Sequence, residues 1–585
     1  MGRKENTMIK RLMGCVREYK LPSILTLIFI IGEVIIEVFI PFITADLVNS
    51  IKAGAEMREL LMTGALLVVM ALVSLCCGGI AGFTCAKASA GFAKNLRSDL
   101  FSKIQTYSFE NVDNFSTASL VTRLTTDVGN VQMSYMMIIR TAIRCPMMLT
   151  FAVVMAMIIS PKMSIAFAFI IPFLAIGLAV IILNAHPIFK TVFKKYDKLN
   201  ESVQENLSGI RVVKSYVRED FENKKFKAAS DELCQGFTRA EKIIALNSPL
   251  MQFCFNILML SVNLFGSMLI VKSNRTELNV GELSSLLTYG AQILMSLMMV
   301  SMIIVMISLS VASANRIAEV LREKSAIVSP ENAVTEVRDG SIEFKNVSFA
   351  YSSTAEKQAL SDIDFSIASG ETVGIIGGTG SGKTSLVQLI SRLYDTTEGS
   401  VTVGGIDVKE YDLEALRDQV SMVLQKNVLF SGTIKDNLRW GDANATDEDM
   451  VRICKLSQAH DFISSFPDGY DTYIEQGGTN VSGGQKQRLC IARALLKKPK
   501  ILILDDSTSA VDTKTDALIR RAFAEEIPNT TKIIIAQRIS SIEHADKIIV
   551  MDGGRIESIG DHSKLLEISP IYREVYESQT KGDEQ

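Results

Sequence analysis

The chain places Gly377-Gly378-Thr379-Gly380-Ser381-Gly382-Lys383-Thr384-Ser385 directly after the β-branched run Thr372 to Ile376 and ahead of an apolar helical pattern. A strand, then GxxxxGK(S/T), then a helix is the arrangement of a phosphate-binding loop. Its glycines let successive backbone N–H groups turn toward phosphate oxygens at a helix N-terminus, a lysine reaches the β and γ oxygens, and a Ser or Thr hydroxyl ligates Mg²⁺. Here those roles fall to Lys383 and Thr384. A second apolar run, Ile501-Leu502-Ile503-Leu504, ends in Asp505 and Asp506, and a carboxylate at the C-terminal end of a strand is where a further Mg²⁺ ligand belongs. Between the two lies Val481-Ser482-Gly483-Gly484-Gln485, just before a helical stretch. Its hydroxyl and glycine N–H groups make a second phosphate cradle. These residue types suit the handling of a Mg²⁺-complexed nucleoside triphosphate.

All of these motifs fall within residues 338–585, where short β-branched runs alternate with helical patterns and are punctuated by glycine. That is the pattern of an α/β nucleotide-binding domain. A polar linker, 321–337, precedes it, and residues 1–320 read as a membrane domain. Six apolar stretches there, near 23–45, 60–82, 141–160, 163–184, 249–271 and 283–311, reach the roughly 20 residues needed to cross about 30 Å of hydrocarbon. Basic residues crowd the N-terminal tail and the segments 83–140 and 185–248, while the other connections carry few. The positive-inside rule then puts both termini and the nucleotide-binding domain in the cytoplasm. The two long basic segments have helical spacing (Leu96, Leu100, Ile104; Leu207, Ile210, Val213, Tyr216), so the spans are expected to continue into the cytoplasm and reach another domain. Six helices that merely anchor a soluble enzyme would not need such excursions. The basic residues ahead of the first span have no small-residue cleavage site after them, so that span is read as an uncleaved helix. A net charge of −3, with no basic stripe apart from the membrane flanks, argues against a nucleic-acid partner. The nine cysteines contain no CxxC pair, so reduced thiols and no thiolate metal site are expected.

Within the spans, Glu33 and Glu37 lie four residues apart on one helical face. A carboxylate in hydrocarbon is costly, so the two should face either a polar or cationic substrate or a partner such as Arg140 or Arg144. Met295, Met298, Met299, Met302 and Met306 form a stripe at helical spacing. Flexible thioethers suit a surface that accepts many apolar ligands, and they suit ordinary helix packing equally well.

A phosphate loop, an SGGQ signature and an acidic strand in that order, behind six spans, resemble the ATP-binding cassette (ABC) transporter superfamily over essentially the whole chain. The match is to an exporter-type half-transporter of the multidrug and lipid A flippase kind. The resemblance implies an α-helical six-span transmembrane domain joined to an α/β P-loop nucleotide-binding domain. It implies a multi-pass protein of a cell (inner) membrane whose ATP lies between one chain's phosphate loop and the signature of a second half-transporter. It also implies roles for Tyr351 (stacking on adenine), Gln425 (contacting Mg²⁺ and the attacking water) and Ser509-Ala510-Val511-Asp512 (crossing the dimer interface), and coupling helices at Asn114 to Ser119 and Gly209 to Tyr216.

Three departures from the family pattern stand out. Asp506 occupies the position of the glutamate that polarises the attacking water, Gln537 that of a switch histidine, and Gln476 that of a glutamate ahead of the signature. A shorter carboxylate at the first position misplaces the base by about 1 Å, enough for roughly a hundredfold in rate. A glutamine cannot bring the positive charge of an imidazolium. Binding residues are intact while hydrolytic ones are altered, as in the degenerate half of a heterodimeric exporter of drugs, lipids or peptides. A slow homodimer, a gated channel or regulatory subunit on the same scaffold, and an importer are the alternatives.

Overall fold

The computed structural model describes residues 11–273, 275–352, 357–507 and 510–583. It divides into two compact units, Met1–Gln105 with Thr117–Glu323 and Thr106–Ser116 with Lys324–Gln585.

The first unit is built on the long helices Lys20–Ala53, Met57–Gln105, Val128–Ile159, Pro161–Ser208, Asn247–Lys272 and Val280–Arg322. Six helices in the described chain are long and apolar enough to cross a membrane, and each predicted stretch falls within one of them to within a residue. The 49 residues of Met57–Gln105 span about 74 Å at 1.5 Å per residue, more than twice the hydrocarbon thickness. Helix ends follow local chemistry. Gly54 closes the first at φ 77°, and Ser160 caps the fourth by accepting from the Met163 N–H with Pro161 at the first helical position, where the missing N–H costs nothing. Pro41 interrupts the first span. Nearby, the Tyr289 hydroxyl donates to the Val38 carbonyl at 2.6 Å and the Ser285 hydroxyl to the Pro41 carbonyl. These bonds tie the sixth span to the backbone of the first around that proline. Ile30, Val34 and Val38 pack with Leu258, Leu286 and Ile293 in the core of this unit.

The second unit contains a four-stranded antiparallel sheet, in the order Leu360–Ile367, Ile342–Phe349, Glu398–Val403, Ile406–Asp407, and a six-stranded sheet. The latter runs Arg555–Gly560, Lys547–Asp552, Thr372–Gly377, Thr531–Ile535, Ile501–Asp505, Val420–Val423. All of its pairings are parallel except that of the Arg555–Gly560 edge. Parallel strands are buried on both faces, so they read as continuous apolar runs. Leu502 and Leu504 face one core with Ile534, and Ile501 and Ile503 the other with Ile533 and Ile535.

The unit also includes the short helix Phe109–Asn114, which corrects the expectation of a coupling helix over Asn114 to Ser119. Ser108 starts it with a capping box to Asn111, and Phe115 leaves it in an extended conformation, so the next helix begins at Thr117. The stretch Gly209 to Tyr216 forms the helix Ile210–Ser215 in the first unit.

Candidate nucleotide site

The carboxyl ends of four adjacent parallel strands carry the candidate residues. Thr372–Gly377 runs into the phosphate loop, Thr531–Ile535 leads to Gln537, Ile501–Asp505 to Asp506, and Val420–Val423 to Gln425. The crevice beyond the carboxyl ends of parallel strands is where open α/β sheets bind ligands.

The loop geometry requires glycine. A Cβ on Gly377 would overlap the Met551 carbonyl, and Gly382, at φ 95°, lies against Leu360 and the Ala359 carbonyl. At Gly378 and Gly380 a Cβ would meet nothing within 4 Å, so these two leave the cradle open for a ligand. Lys383 opens the helix Lys383–Ile390, and its ammonium donates to the Gly377 and Gly378 carbonyls, each at 2.8 Å. Burial lowers its pKa, opposed by the attraction of Asp505 and Asp506. The Thr384 hydroxyl donates to the Asp505 carboxylate at 3.0 Å. Asp505 is 2% exposed, and burial raises its carboxyl above the ordinary range, with Asp506 adding to the shift while Thr384 and Lys383 oppose it. A buried carboxylate beside a hydroxyl and a second carboxylate suits a divalent cation held with phosphate. Thr384 and Asp505 therefore fit the Mg²⁺ expected of them.

A cavity of about 420 Å³ lies over the loop, lined by Gly380 to Ser385, Tyr351, Lys357, Gln358, Ala359 and the turn Gly553-Gly554. Thr379 completes the loop sequence ahead of Gly380. Tyr351 is 48% exposed, with its hydroxyl hydrogen-bonded to Ser385 at 2.8 Å. Lys357, Gln358 and the Gly553-Gly554 turn were not singled out from the sequence; a glycine pair between two apolar runs was the available signal.

Asp506 has φ 49°, a left-handed conformation that short Asp and Asn side chains tolerate. Its carboxylate accepts from Gln537 Nε2 at 2.7 Å and is also hydrogen-bonded by Gln425. Burial raises its carboxyl, and those two amides are the largest opposing influences. The Ser507 hydroxyl donates to the Val423 carbonyl at 3.1 Å, tying together the strand ends that carry Asp506 and Gln425.

The signature is a helix start. Ser482 caps Gly483–Leu496 in a reciprocal capping box with Gln485, leaving an exposed N-terminus with the partial positive charge that anions favour. None of Ser482, Gly483, Gly484 and Gln485 lines the cavity over the phosphate loop. A Cβ at Gly484 would press on the Ala510 carbonyl, and Gln487 accepts from the Ala510 N–H at 3.0 Å, so signature helix and interface loop pack as one piece. Asp512 caps the helix that follows; Ser509 lies outside the described residues.

In the membrane unit, Glu37 and Glu33 share Arg144, at 2.7 Å and 3.5 Å. Of the two alternatives for these carboxylates, the ion pair is the one present. Met295, Met299 and Met302 are exposed, and Met298 and Met306 are half-buried.

Comparison with known proteins agrees with both units. Residues 23–298 match the family described as ABC transporter transmembrane region, and residues 360–509 the family described as ABC transporter. The uncharacterised ABC transporter ATP-binding protein YfiB of Bacillus subtilis is 34% identical over 571 residues, 98% of each chain. The probable multidrug resistance ABC transporter ATP-binding/permease protein YheI of the same organism is 32% identical over 579 residues, again 98% of each. A solved structure of a bacterial Atm1-family ABC exporter with ATP bound superposes with a TM-score of 0.83 at 22% identity, covering 96% of this chain and 98% of that one, a likeness of fold. With relatives of this identity along nearly its whole length and a phosphate loop, signature and acidic strand on one cassette, the chain belongs to the ABC transporter family, as a half-transporter with six candidate spans and an ATP-binding domain.

Proposed function

We propose that this chain is one half of a heterodimeric exporter, with a slow ATP site of its own and an intact signature lent to a faster site on its partner. The observation that carries this reading is the 2.7 Å bond from Gln537 to Asp506. A general base must present a free carboxylate oxygen to the attacking water. Here Oδ2 of that carboxylate accepts from a neutral amide and Gln425 bonds the same group, so the base is held by amides, and the position that would bring positive charge to the phosphate holds no charged group. Lys383 and the glycine N–H groups bind and orient the phosphates, and Tyr351 takes the purine on its exposed face. Thr384 and Asp505, with Gln425 by family resemblance, hold Mg²⁺, which when bound offsets phosphate charge.

The signature's absence from the cavity on its own chain supports completion of each site by a second half-transporter. Domain limits of 1–320, 321–337 and 338–585, an inner-membrane location and cytoplasmic termini belong to this reading. The exposed methionines, and the multidrug resistance description of the relative YheI, support a hydrophobic or amphipathic cargo such as a drug, lipid or peptide. Glu33 and Glu37 enter only if the cargo displaces Arg144.

The test is ATP turnover of the chain purified alone and co-purified with a neighbouring six-span cassette half. Turnover confined to the pair, abolished by replacing the partner's catalytic glutamate, is the expected result. A stable dimer of this chain alone with substrate-stimulated turnover would instead establish a homodimer.

A further inference from the structure

The segment that carries Gln537 leaves the strand Thr531–Ile535 and is held at two points by side chains remote in sequence. The first is Gln579, in the C-terminal helix Pro570–Asp583. Its Oε1 accepts from the Ile539 N–H at 2.9 Å, and its Nε2 donates to the Gln537 carbonyl at 2.8 Å. One side-chain amide thus makes both of the bonds that a residue of a parallel neighbouring strand would make, and it fixes the backbone on either side of Arg538. The second is Asp516, whose buried carboxylate accepts from the Ser541 hydroxyl at 3.0 Å. Asp516 lies in the helix Thr513–Glu526 that Asp512 caps.

Packing sets the reach of Gln579. Tyr572, Val575, Tyr576 and Gln579 follow one another at helical spacing, so they share one face of the helix. Tyr572 is buried, with its hydroxyl hydrogen-bonded to His562 Nδ1 at 2.8 Å. Val575 and Tyr576 pack on the core that also holds Ile539 and Ile542. Gln537, by contrast, is exposed. Water competes for its amide, and its 2.7 Å bond to Asp506 depends on where the backbone places it.

We propose that Gln579 is a positioning residue for hydrolysis at this chain's own site: by clamping the backbone around Gln537 it keeps that amide on Asp506 and so restrains the base. The inference rests on the reading of this site as slow because amides hold its base. Without the clamp, the Gln537 carbonyl and the Ile539 N–H turn to water and the exposed amide leaves Asp506 for part of the time. A carboxylate oxygen then becomes available to the attacking water. The C-terminal helix, which carries none of the nucleotide motifs, enters the chemistry in this way.

Single-turnover hydrolysis by the assembly isolated through a tag on this chain, beside the affinity of a slowly hydrolysed ATP analogue, tests this. Gln579→Met keeps the length and helix preference of the side chain and removes both bonds. A net hydrogen bond is worth about three- to tenfold, and the slow phase is expected to accelerate by about that factor. The fast phase and the analogue affinity stay within about twofold, as for a change confined to the chemical step. Gln579→Glu still accepts from Ile539 but sets an oxygen against the Gln537 carbonyl, and it accelerates the slow phase too. Gln537→Ala removes the amide directly and does the same. Adding Gln579→Met to it changes the rate by less than about 1.5-fold, because both act through one bond. A merely structural role would lower the rate, with or without the Gln537 amide. A slow phase that either Gln579 variant leaves unchanged or retards, or an acceleration repeated in full in Gln537→Ala, overturns the clamp and leaves the slow-site reading standing. A single phase in the parent overturns that reading and the clamp with it.

Discussion

If this chain's own site is slow, as proposed above, restoring the family residues, Asp506→Glu with Gln537→His, should convert it into a fast one. One added methylene advances the carboxylate by about 1 Å, and a misplacement of that size is worth roughly a hundredfold. A charged donor at 537 gains about 1.5 kcal/mol over a neutral amide, about tenfold in rate. Asp506 and Gln537 are in contact at 2.7 Å, so the two gains will not simply add. The expected rise is about 10²- to 10³-fold, at the expense of about 1 kcal/mol of stability for glutamate at φ 49°. Asp506→Asn is the companion control, because asparagine tolerates that φ and still accepts from Gln537. Single-turnover hydrolysis by the native assembly, isolated by a tag on this chain, should show one fast and one slow phase. The double variant accelerates the slow phase alone, and Asp506→Asn leaves the fast phase within about twofold. If the parent hydrolyses both ATP molecules in a single phase that Asp506→Asn abolishes, then Asp506 is the working base and the degenerate-site reading fails.

Asp505→Asn should abolish Mg²⁺-dependent nucleotide binding yet raise the melting temperature of the nucleotide-free protein near pH 7. Because burial raises this carboxyl, ionising it in the folded protein costs stability, a loss that begins above the ordinary Asp value and is complete once the pH exceeds the raised one. The parent therefore loses this increment as pH climbs from the ordinary Asp range through that raised value, and the variant does not; melts across pH with and without Mg²⁺-ATP check both points. Arg144→Met strands Glu33 and Glu37, and a fall of about 2 kcal/mol in detergent melts is expected, less than for a fully buried pair because 38% of the Arg144 side chain is exposed. Replacing all three by apolar residues should recover most of it. Gly377→Ala drives a methyl group into the Met551 carbonyl and should lose binding of a fluorescent nucleotide along with cassette stability, whereas Gly378→Ala, with nothing within 4 Å, should melt like the parent.

Much of this was legible in the sequence because its signals are local. A phosphate loop needs its strand, its glycines and its helix within a few residues, and a span needs only an unbroken apolar helix, so both could be read without knowing any distant contact. Runs such as Ile501 to Leu504 announced strands buried on both faces. The departures at Asp506 and Gln537 were visible as residue types, but that they touch each other was not. That contact depends on the order of parallel strands, which sets Thr531–Ile535 beside Ile501–Asp505 and the latter beside Val420–Val423, across sequence separations that no local periodicity encodes. Arg140 and Arg144 are one helical turn apart and equally plausible partners on paper; only packing of the first span against the third selects Arg144. Gln579 carries no motif at all. Its meeting with Gln537 and Ile539 exists because the helix Pro570–Asp583 packs on the core that holds Ile539, and long-range burial of that kind is decided by the assembled core rather than by neighbours in the chain.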